Sequence, residues 1–232
     1  YAEVKMKVFK IVLSSLALTA SIVSAAHAHD AGDIILRAGL TTVAPDESSS
    51  NVTVQSAGNV GMGASVNSNT QLGLNVVYML SSNLGLELLA ASPFTHDITL
   101  INTLDNELGL GDGKLAESKQ LPPTLSMLYY FPVSETIKPY LGVGLNYTVF
   151  FDEQFVGSRE AQSFSNLSLD ESFGIAAQIG MDYTLDEHWL INASVRYIDI
   201  DTKAKFDVLD LPAQVSVDID PWVYSIMVGY TF

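Results

Sequence analysis

Cysteine is absent from this chain of 232 residues. Without thiols it forms no disulfide, and it has no thiolate for nucleophilic catalysis or for a cysteine-ligated metal centre. Basic residues are also scarce, since 11 Lys and Arg stand against 26 Asp and Glu, and the formal net charge is −15. Such a surface repels a phosphate backbone, so we expect no binding to nucleic acid.

Long apolar runs are missing after residue 28, which argues against a membrane-spanning helix in the remaining chain. The first 28 residues combine five upstream residues with the pattern of a secretory signal. Lys7 and Lys10 precede the apolar stretch 11–23, and Ala26-His27-Ala28 is a small-x-small cleavage site. We expect cleavage after Ala28, with Ala26 as the alternative, and one mature domain over residues 29–232.

The sequence does contain segments in which large apolar side chains alternate with small or polar ones. In residues 222–232, large apolar or aromatic side chains occupy every second position, and small or weakly polar ones occupy the others. Neighbouring side chains of a strand point to opposite faces, so this segment has one apolar face and one mixed face. One such strand alone would fit a soluble sandwich. Seven earlier segments share the pattern: 34–41, 71–80, 84–98, 124–131, 139–151, 173–183 and 189–197.

Long and short connections alternate between these eight segments. Short ones cover 81–83, 132–137 and 186–188, and long ones cover 43–69, 101–120, 152–171 and about 205–214. This order predicts the all-β class and an eight-stranded antiparallel transmembrane β-barrel with short periplasmic turns and longer extracellular loops. The mixed faces would then line the lumen, and the location would be the outer membrane of a Gram-negative cell. We expect the first long connection to be a mobile loop.

Four charged residues fall on the predicted lumen faces: Arg37, Glu87, Asp182 and Arg196. Buried charges require partners, so we expect a paired network that plugs the lumen below an apolar upper pocket. The alternative is a network that only stabilises the barrel and has no part in transport.

Prolines stand where two neighbouring strands approach the outer rim. Pro93 interrupts the third strand, and Pro122 and Pro123 begin the fourth. Proline donates no hydrogen bond to a ladder, so these strands should pair badly there. One hypothesis is a lateral exit from the lumen into the membrane, and the other is that the prolines merely end the strands.

Catalytic and metal-binding patterns are weak. His96 and His188 lie far apart without ligand spacing, and no strand places a histidine beside a plausible serine nucleophile. We therefore expect no enzyme, no metal and no cofactor. Acidic residues of the long connections could bridge divalent cations to lipopolysaccharide, although a solvated acidic surface is the ordinary interpretation; they are Asp46, Glu47, Asp152, Glu153, Glu160, Asp170 and Glu171.

Six motifs in order resemble the outer membrane protein W family: Leu86-Glu-Leu-Leu-Ala-Ala-Ser-Pro-Phe94, Leu121-Pro-Pro-Thr-Leu125, Lys138-Pro-Tyr-Leu-Gly-Val-Gly-Leu-Asn-Tyr-Thr148, Leu167-Ser-Leu-Asp-Glu-Ser172, Tyr197-Ile-Asp-Ile-Asp201 and Asp220-Pro-Trp222. The resemblance covers essentially the whole mature chain. It implies an outer-membrane barrel with a narrow, largely hydrophobic pocket that passes small hydrophobic molecules through a sideways opening. It also implies bacteriocins as partners of some members.

The resemblance extends to two lumen positions and to the C terminus. In the family, an inward leucine and an inward tryptophan constrict the pocket; Leu89 matches the leucine, whereas Arg196 stands at the tryptophan position, which implies a more polar constriction. Tyr230 and the terminal Phe232 resemble the signal that outer-membrane assembly machinery reads. The alternative function is a structural or receptor barrel that acts through its extracellular loops and transports nothing.

Overall fold

The computed structural model describes residues 29–50, 52–55, 58–59, 63–101, 113–160 and 163–232, so the expected signal segment lies outside the described residues. Among the described residues, no helix is long and apolar enough to cross a membrane. The described chain forms the following elements: β1 (Ile34–Ala44), β2 (Ser48–Ser49), β3 (Thr53–Val54), β4 (Gly58–Asn59), β5 (Gly63–Val66), β6 (Asn69–Met79), β7 (Leu84–Ala91), β8 (Phe94–Ile101), β9 (Gly113–Leu121), β10 (Thr124–Tyr130), β11 (Ile137–Phe155), α1 (Gly157–Glu160), β12 (Phe164–Leu169), β13 (Ser172–Thr184), β14 (Trp189–Ile198), β15 (Asp201–Val208), β16 (Leu211–Asp218) and β17 (Trp222–Thr231).

Eight of these strands close into an antiparallel barrel, as the alternation predicts. Their order is β10-β7-β6-β1-β17-β14-β13-β11, and β11 pairs again with β10. The first and last strands join from Ile35 opposite Thr231 to Ala44 opposite Trp222. Closure leaves no unpaired edge in this part of the molecule, which is what a sheet in lipid requires. The predicted fold class is confirmed.

The outside of the barrel is a belt of exposed apolar side chains. Along β17 the exposed positions alternate with buried ones, so one face of the strand points into the barrel and the other points outward from it. Large apolar side chains exposed in this belt include Leu40, Leu72, Val143, Phe173, Ile175 and Ile226. A patch of this extent marks contact with an apolar phase. The belt therefore faces lipid.

The expectation that the four long connections are loops is wrong, because most of their described residues form strands. The region 43–69 contains β2 to β5, residues 113–121 form β9, residues 164–169 form β12, and β15 and β16 make a hairpin. In these segments the apolar side chains point inward and the polar ones outward, the reverse of the lipid-facing part. Ala204, Phe206 and Val208 are buried along β15, for example, between exposed lysines.

Two sheets make up the outer half. One continues the barrel wall as β11-β9-β8-β5, and the other has the order β12-β15-β16-β3-β4 with β2 on β16. Between them lies a cluster of buried apolar residues that includes Phe94, Leu100, Phe155, Phe164 and Phe206. The outer half thus has a packed core like that of a soluble sandwich.

Candidate solute channel

The four predicted lumen charges meet in one buried layer. Arg37 places Nη2 at 2.5 Å from Asp182 Oδ2 and Nη1 at 3.3 Å from Glu87 Oε2. Arg196 forms an ion pair with the other Glu87 oxygen. All four side chains are buried. Two positive and two negative charges cancel, as burial in a lumen requires.

Neutral polar groups add hydrogen bonds to this charged layer. Glu87 also accepts hydrogen bonds from Asn75 Nδ2 at 3.1 Å and from Gln178 Nε2 at 2.8 Å. Arg37 Nη2 donates to the Tyr130 hydroxyl at 2.6 Å. An eight-stranded barrel is just wide enough to be filled by its own side chains, and here it is filled by this network. The charged layer lies across the lumen in the inner half of the barrel.

Lumen-facing glycines provide the room for these side chains. A Cβ atom at Gly180 would overlap the ring of Tyr140. Tyr140 in turn accepts a hydrogen bond from Asn192 Nδ2 at 3.0 Å, and the same amide nitrogen donates to Asp182 Oδ1 at 2.8 Å. Glycine is needed here because the neighbouring side chain approaches the backbone closely.

His29 lies at the periplasmic mouth under the charged layer. This position was not predicted, because in the sequence His29 only flanks the cleavage site. The side chain is 6% exposed, and its ring meets Tyr130 edge-on at 4.8 Å. Its Nε2 lies 3.9 Å from Asp182 Oδ2. Burial, with help from the nearby Lys138 and Arg37 cations, lowers the pKa of His29 to about 3. The imidazole is therefore neutral near pH 7.

An apolar cavity of about 50 Å³ lies in the outer half, above the charged layer. Both sheets contribute to its walls, and apart from Thr202 every lining residue is apolar. Phe155, Phe164 and Phe206 meet there with ring centroids 5.3 to 6.0 Å apart. Most of these residues lie in the segments that we expected to be loops. The sequence therefore predicts an apolar pocket but not the residues that line it.

His96 lies beside a smaller cavity of about 30 Å³ that Gln120 and Ile98 also line. Burial lowers the pKa of His96, which favours the neutral form of the ring. Its Nδ1 donates to the Asn67 carbonyl at 2.7 Å, and its Nε2 accepts from the Gln120 amide at 3.0 Å. Both ring nitrogens are thus engaged in hydrogen bonds, which leaves neither as a metal ligand.

The prolines mark a break in the barrel wall. The ladder between β7 and β10 ends at Leu89 opposite Thr124, and pairing resumes between β8 and β9 at Phe94 opposite Gln120. Pro93, Pro122 and Pro123 all lie within this interval. We call it the proline break. The prolines predicted where the strands pair badly, but nothing in the sequence indicated Phe94. Its side chain is only 1% exposed and belongs to the apolar cluster on the inner side of the wall.

The segments on both sides of the proline break bond to their other neighbours in the wall. The Ser92 amide donates to the Leu72 carbonyl of β6 at 3.0 Å, and the Tyr147 amide of β11 donates to the Pro123 carbonyl at 3.1 Å. Asn146 Nδ2 also donates to the Pro123 carbonyl, at 3.2 Å. These bonds lie on the sides that face away from the break, toward β6 in one case and toward β11 in the other. The strands that flank the break are therefore stabilised without bonding to each other.

Three carboxylates form the one group in the described residues with the spacing of a metal site. Oxygens of Asp199, Asp201 and Asp220 lie within 4.8 Å of one another, at the outer ends of β14 and β17. Burial and the neighbouring Asp218 carboxylate raise the pKa of Asp201. Exposed acidic groups of this kind are common without an ion. We assign no metal to this group.

The C-terminal aromatic residues lie at the periplasmic rim. The ring of Phe232 is 69% exposed and packs edge-on against Tyr230 at 4.7 Å. Tyr230 also meets Trp189 at 5.0 Å and His188 at 5.3 Å. The Phe232 amide donates to the Ile34 carbonyl at 2.9 Å, so the last backbone amide is held by β1 while the ring stays accessible.

A closed barrel with an apolar outer belt, short inner turns and a side-chain-filled lumen defines an outer-membrane barrel protein. The sequence model of the OmpW family matches residues 30–232, and the chain belongs to this family.

The chain is 45% identical to outer membrane protein W of Vibrio cholerae over 95% of this chain and 98% of that protein. Identity to outer membrane protein W of Escherichia coli K12 is 42%, over 96% and 99%. The crystal structure of OprG from Pseudomonas aeruginosa superposes with a TM-score of 0.82 at 46% identity, covering 89% of this chain and 98% of that one. Its relatives are outer-membrane barrels, and this protein is located in the outer membrane.

Proposed function

We propose that the protein is a passive channel for small hydrophobic molecules. The observation that carries this proposal is the apolar cavity between the two outer sheets, on the outer side of the charged layer. The cavity is lined by apolar side chains, with Thr202 as the exception, and the Thr202 hydroxyl already donates to the Asp170 carbonyl. Such a lining favours an apolar occupant, because a polar one would lose its hydrogen bonds to water without replacement. The chemical class of the solute follows from this lining.

The charged layer determines which way the solute leaves. An apolar molecule that moved on toward the periplasm would have to displace paired charges on Arg37, Glu87, Asp182 and Arg196, and an uncompensated buried charge is very unfavourable. Together with Leu89, these residues form the constriction in our proposal. The path therefore turns sideways through the proline break, where Pro93, Pro122 and Pro123 leave the wall without ladder bonds. The solute would reach the lipid without crossing water.

One distant relative agrees with an apolar solute. It is 26% identical over 84% of this chain and 87% of its own length, and it is named the dibenzothiophene metabolism operon protein PahQ of Pseudomonas aeruginosa. Dibenzothiophene is an uncharged aromatic compound. A molecule of this kind matches the lining of the cavity.

Uptake into liposomes tests both parts of the proposal. Purified protein should admit an apolar fluorescent probe faster than protein-free liposomes do, and a charged probe of similar size no faster. Pro93→Val restores a backbone amide donor within the proline break and should slow uptake. Pro132→Val, in a periplasmic turn far from the break, is the matched control and should leave uptake unchanged.

Two outcomes would contradict the proposal in different ways. If the wild type admits the apolar probe no faster than empty liposomes, the barrel is a structural or receptor protein that acts through its extracellular strands. If the wild type is active and Pro93→Val transports at the same rate, the solute does not leave through the proline break.

We further propose partners for the two ends of the barrel. The exposed ring of Phe232, supported by Tyr230, is accessible to assembly machinery in the periplasm. The strongly acidic outer sheets face lipopolysaccharide, where divalent cations would mediate the contact. The same sheets are the surface on which a bacteriocin would bind.

A further inference from the structure

The apolar cavity is too small for the solute that its lining favours. It measures about 50 Å³, whereas an engineered cavity that holds benzene is about 150 Å³. A solute can therefore bind only if part of the wall moves. The question is which part of the wall moves most easily.

We infer that solutes enter the cavity between β11 and β12, and that the Glu153 carboxylate holds this part of the wall closed. The inference rests on the proposed function. We call the contact between residues 149–155 and 164–169 the β11–β12 seam.

The seam is the place where the outer wall has no ladder. Pairing of β11 with β13 ends at Thr148 opposite Ser172. Beyond this point, β11 pairs with β9 on its other side, and β12 pairs with β15. The two sheets of the outer half therefore meet here along two strand edges.

Both edges carry irregularities that prevent a ladder. Asp152 of β11 has φ +52°, and the register of β11 shifts between Phe151 and Gln154. Asn166 of β12 has φ +57°, where the register of β12 also shifts. A bulge re-aims side chains and ends pairing. At the seam, two bulged edges face each other.

A side chain replaces the missing ladder. Glu153 Oε1 accepts a hydrogen bond from the Leu169 amide of β12 at 3.3 Å. At the lower end of the seam, Tyr147 donates to the Glu171 carboxylate. Glu153 is thus the acceptor that a backbone carbonyl of β11 would be in a regular sheet.

The other line where the two outer sheets meet is held more firmly. There β5 approaches β2, and the Val66 amide donates to Glu47 Oε1 at 3.2 Å while the Ala64 amide donates to Ser49 Oγ at 3.1 Å. Two side-chain acceptors bridge the three residues 64–66 of β5 to the opposite sheet. Across residues 149–155 and 164–169 the described bonds include one side-chain acceptor, Glu153, and the bond from Tyr147 to Glu171 lies just below them. The β11–β12 seam is therefore bridged more sparsely along its length.

Opening the seam would give direct access to the cavity. Phe155 lines the cavity from the β11 edge, and Phe164, Leu167 and Leu169 line it from the β12 edge. Just below, the outward side chains of Tyr147 and Phe173 are a ladder pair at the outer limit of the lipid-facing belt. An apolar molecule that arrives through the lipopolysaccharide layer would meet the seam at this level, and would leave lower down through the proline break.

Reversible bridging across the seam tests the inference. Because the chain has no cysteine, Gln154→Cys and Ser168→Cys would be the only thiols in a double variant. We expect a short bis-methanethiosulfonate bridge between them to slow uptake of the apolar probe in liposomes at least about fivefold, and reduction to restore it. Lys203→Cys with Ser216→Cys is the matched control, since these residues face each other within the regular β15–β16 ladder. Its bridge should leave uptake unchanged.

Substitution of Glu153 tests its role without a bridge. Glu153→Ala removes the acceptor and should raise uptake about fivefold, the shift in open population for one net hydrogen bond of about 1 kcal/mol. Glu153→Gln keeps a side-chain acceptor and should lie close to wild type. Glu135→Ala, in the periplasmic turn between β10 and β11, is the control and should not change uptake.

The outcomes separate this inference from the function on which it rests. Wild-type uptake equal to that of empty liposomes refutes the proposed function. With an active wild type, a bridged seam that transports at the unbridged rate refutes entrance through the seam, and a Glu153→Ala rate equal to wild type refutes the role of Glu153. Heat-dependent electrophoretic mobility shows for each variant that the barrel has folded.

Discussion

Replacing Glu87 by glutamine is the sharpest test of the charged layer. Glutamine has nearly the same shape and keeps an oxygen acceptor, but it removes the negative charge. Arg37 and Arg196 would then share Asp182 as the remaining carboxylate of the layer, which leaves one positive charge uncompensated in the lumen. Breaking a buried ion pair in this way costs about 3–5 kcal/mol. Folded domains have about 5–15 kcal/mol in total, so the change would be large.

The assay is unfolding by guanidinium in lipid vesicles, followed by tryptophan fluorescence. Trp189 and Trp222 are suitable reporters because both are partly exposed on the lipid-facing side, at 47% and 41%. Glu117→Gln is the control, since its ion pair with Lys114 is exposed and screened by solvent and should contribute little.

A double variant sharpens the reasoning. Glu87→Gln combined with Arg196→Met removes one charge of each sign and leaves the pair of Arg37 with Asp182 intact. We expect it to be more stable than the sum of the two single effects by about 1–3 kcal/mol, because the layer is neutral again. Glu87→Gln within about 1 kcal/mol of wild type, or strictly additive single effects, would refute the claim that charge balance holds this layer together.

Three further predictions concern the break and the two ends of the barrel. Phe94→Ala should raise the uptake of an apolar probe severalfold, because its buried ring covers the inner side of the proline break, whereas Phe131→Ala at the periplasmic rim should not; equal rates would contradict a covering role. Deleting Phe232 should lower the amount of barrel in the outer membrane several-fold and leave the stability of refolded protein nearly unchanged; normal levels in the membrane would count against a recognition signal. The segment around His29 should bind less tightly to the barrel by about 1.4 kcal/mol per pH unit as the pH falls from 6.5 toward 3, because the free histidine takes up a proton before the buried one does. NMR titration or protease access should show this loss. His29→Asn should abolish the pH dependence.

The lipid-facing half could be predicted from the sequence because lipid imposes a simple rule on it. Every outward position from Trp222 to Val228 must be apolar, and the alternation is strict enough to place the strand and both of its faces. The same parity placed Arg37 and Arg196 in the lumen. Their partners could not be predicted, because Arg37 meets Asp182 across 145 residues and Arg196 meets Glu87 across 109, and only the barrel register brings them together.

The outer half was predicted poorly for a physical reason. Its strands stand in water, so their outward positions are lysine, aspartate and serine, and composition alone resembles that of loops. The buried Phe206 of β15 pairs with Ala213 of β16 around a tight turn in which Leu209 and Asp210 have positive φ. Neither of these turn residues is glycine or asparagine, so the usual hairpin signal was missing. The lining of the cavity was missed with these strands.

Closure of the barrel by its first and last strands has a consequence for how the protein is made. Every other neighbouring pair in the barrel is formed by segments that follow one another in the chain, whereas β1 and β17 come from its two ends. Until they meet, each exposes a row of unpaired amides and carbonyls, and each such group is unfavourable by several kcal/mol in hydrocarbon. A partly closed sheet therefore has no stable position in the bilayer. Insertion and closure must be one cooperative event, and it cannot begin before both β1 and β17 have been synthesised.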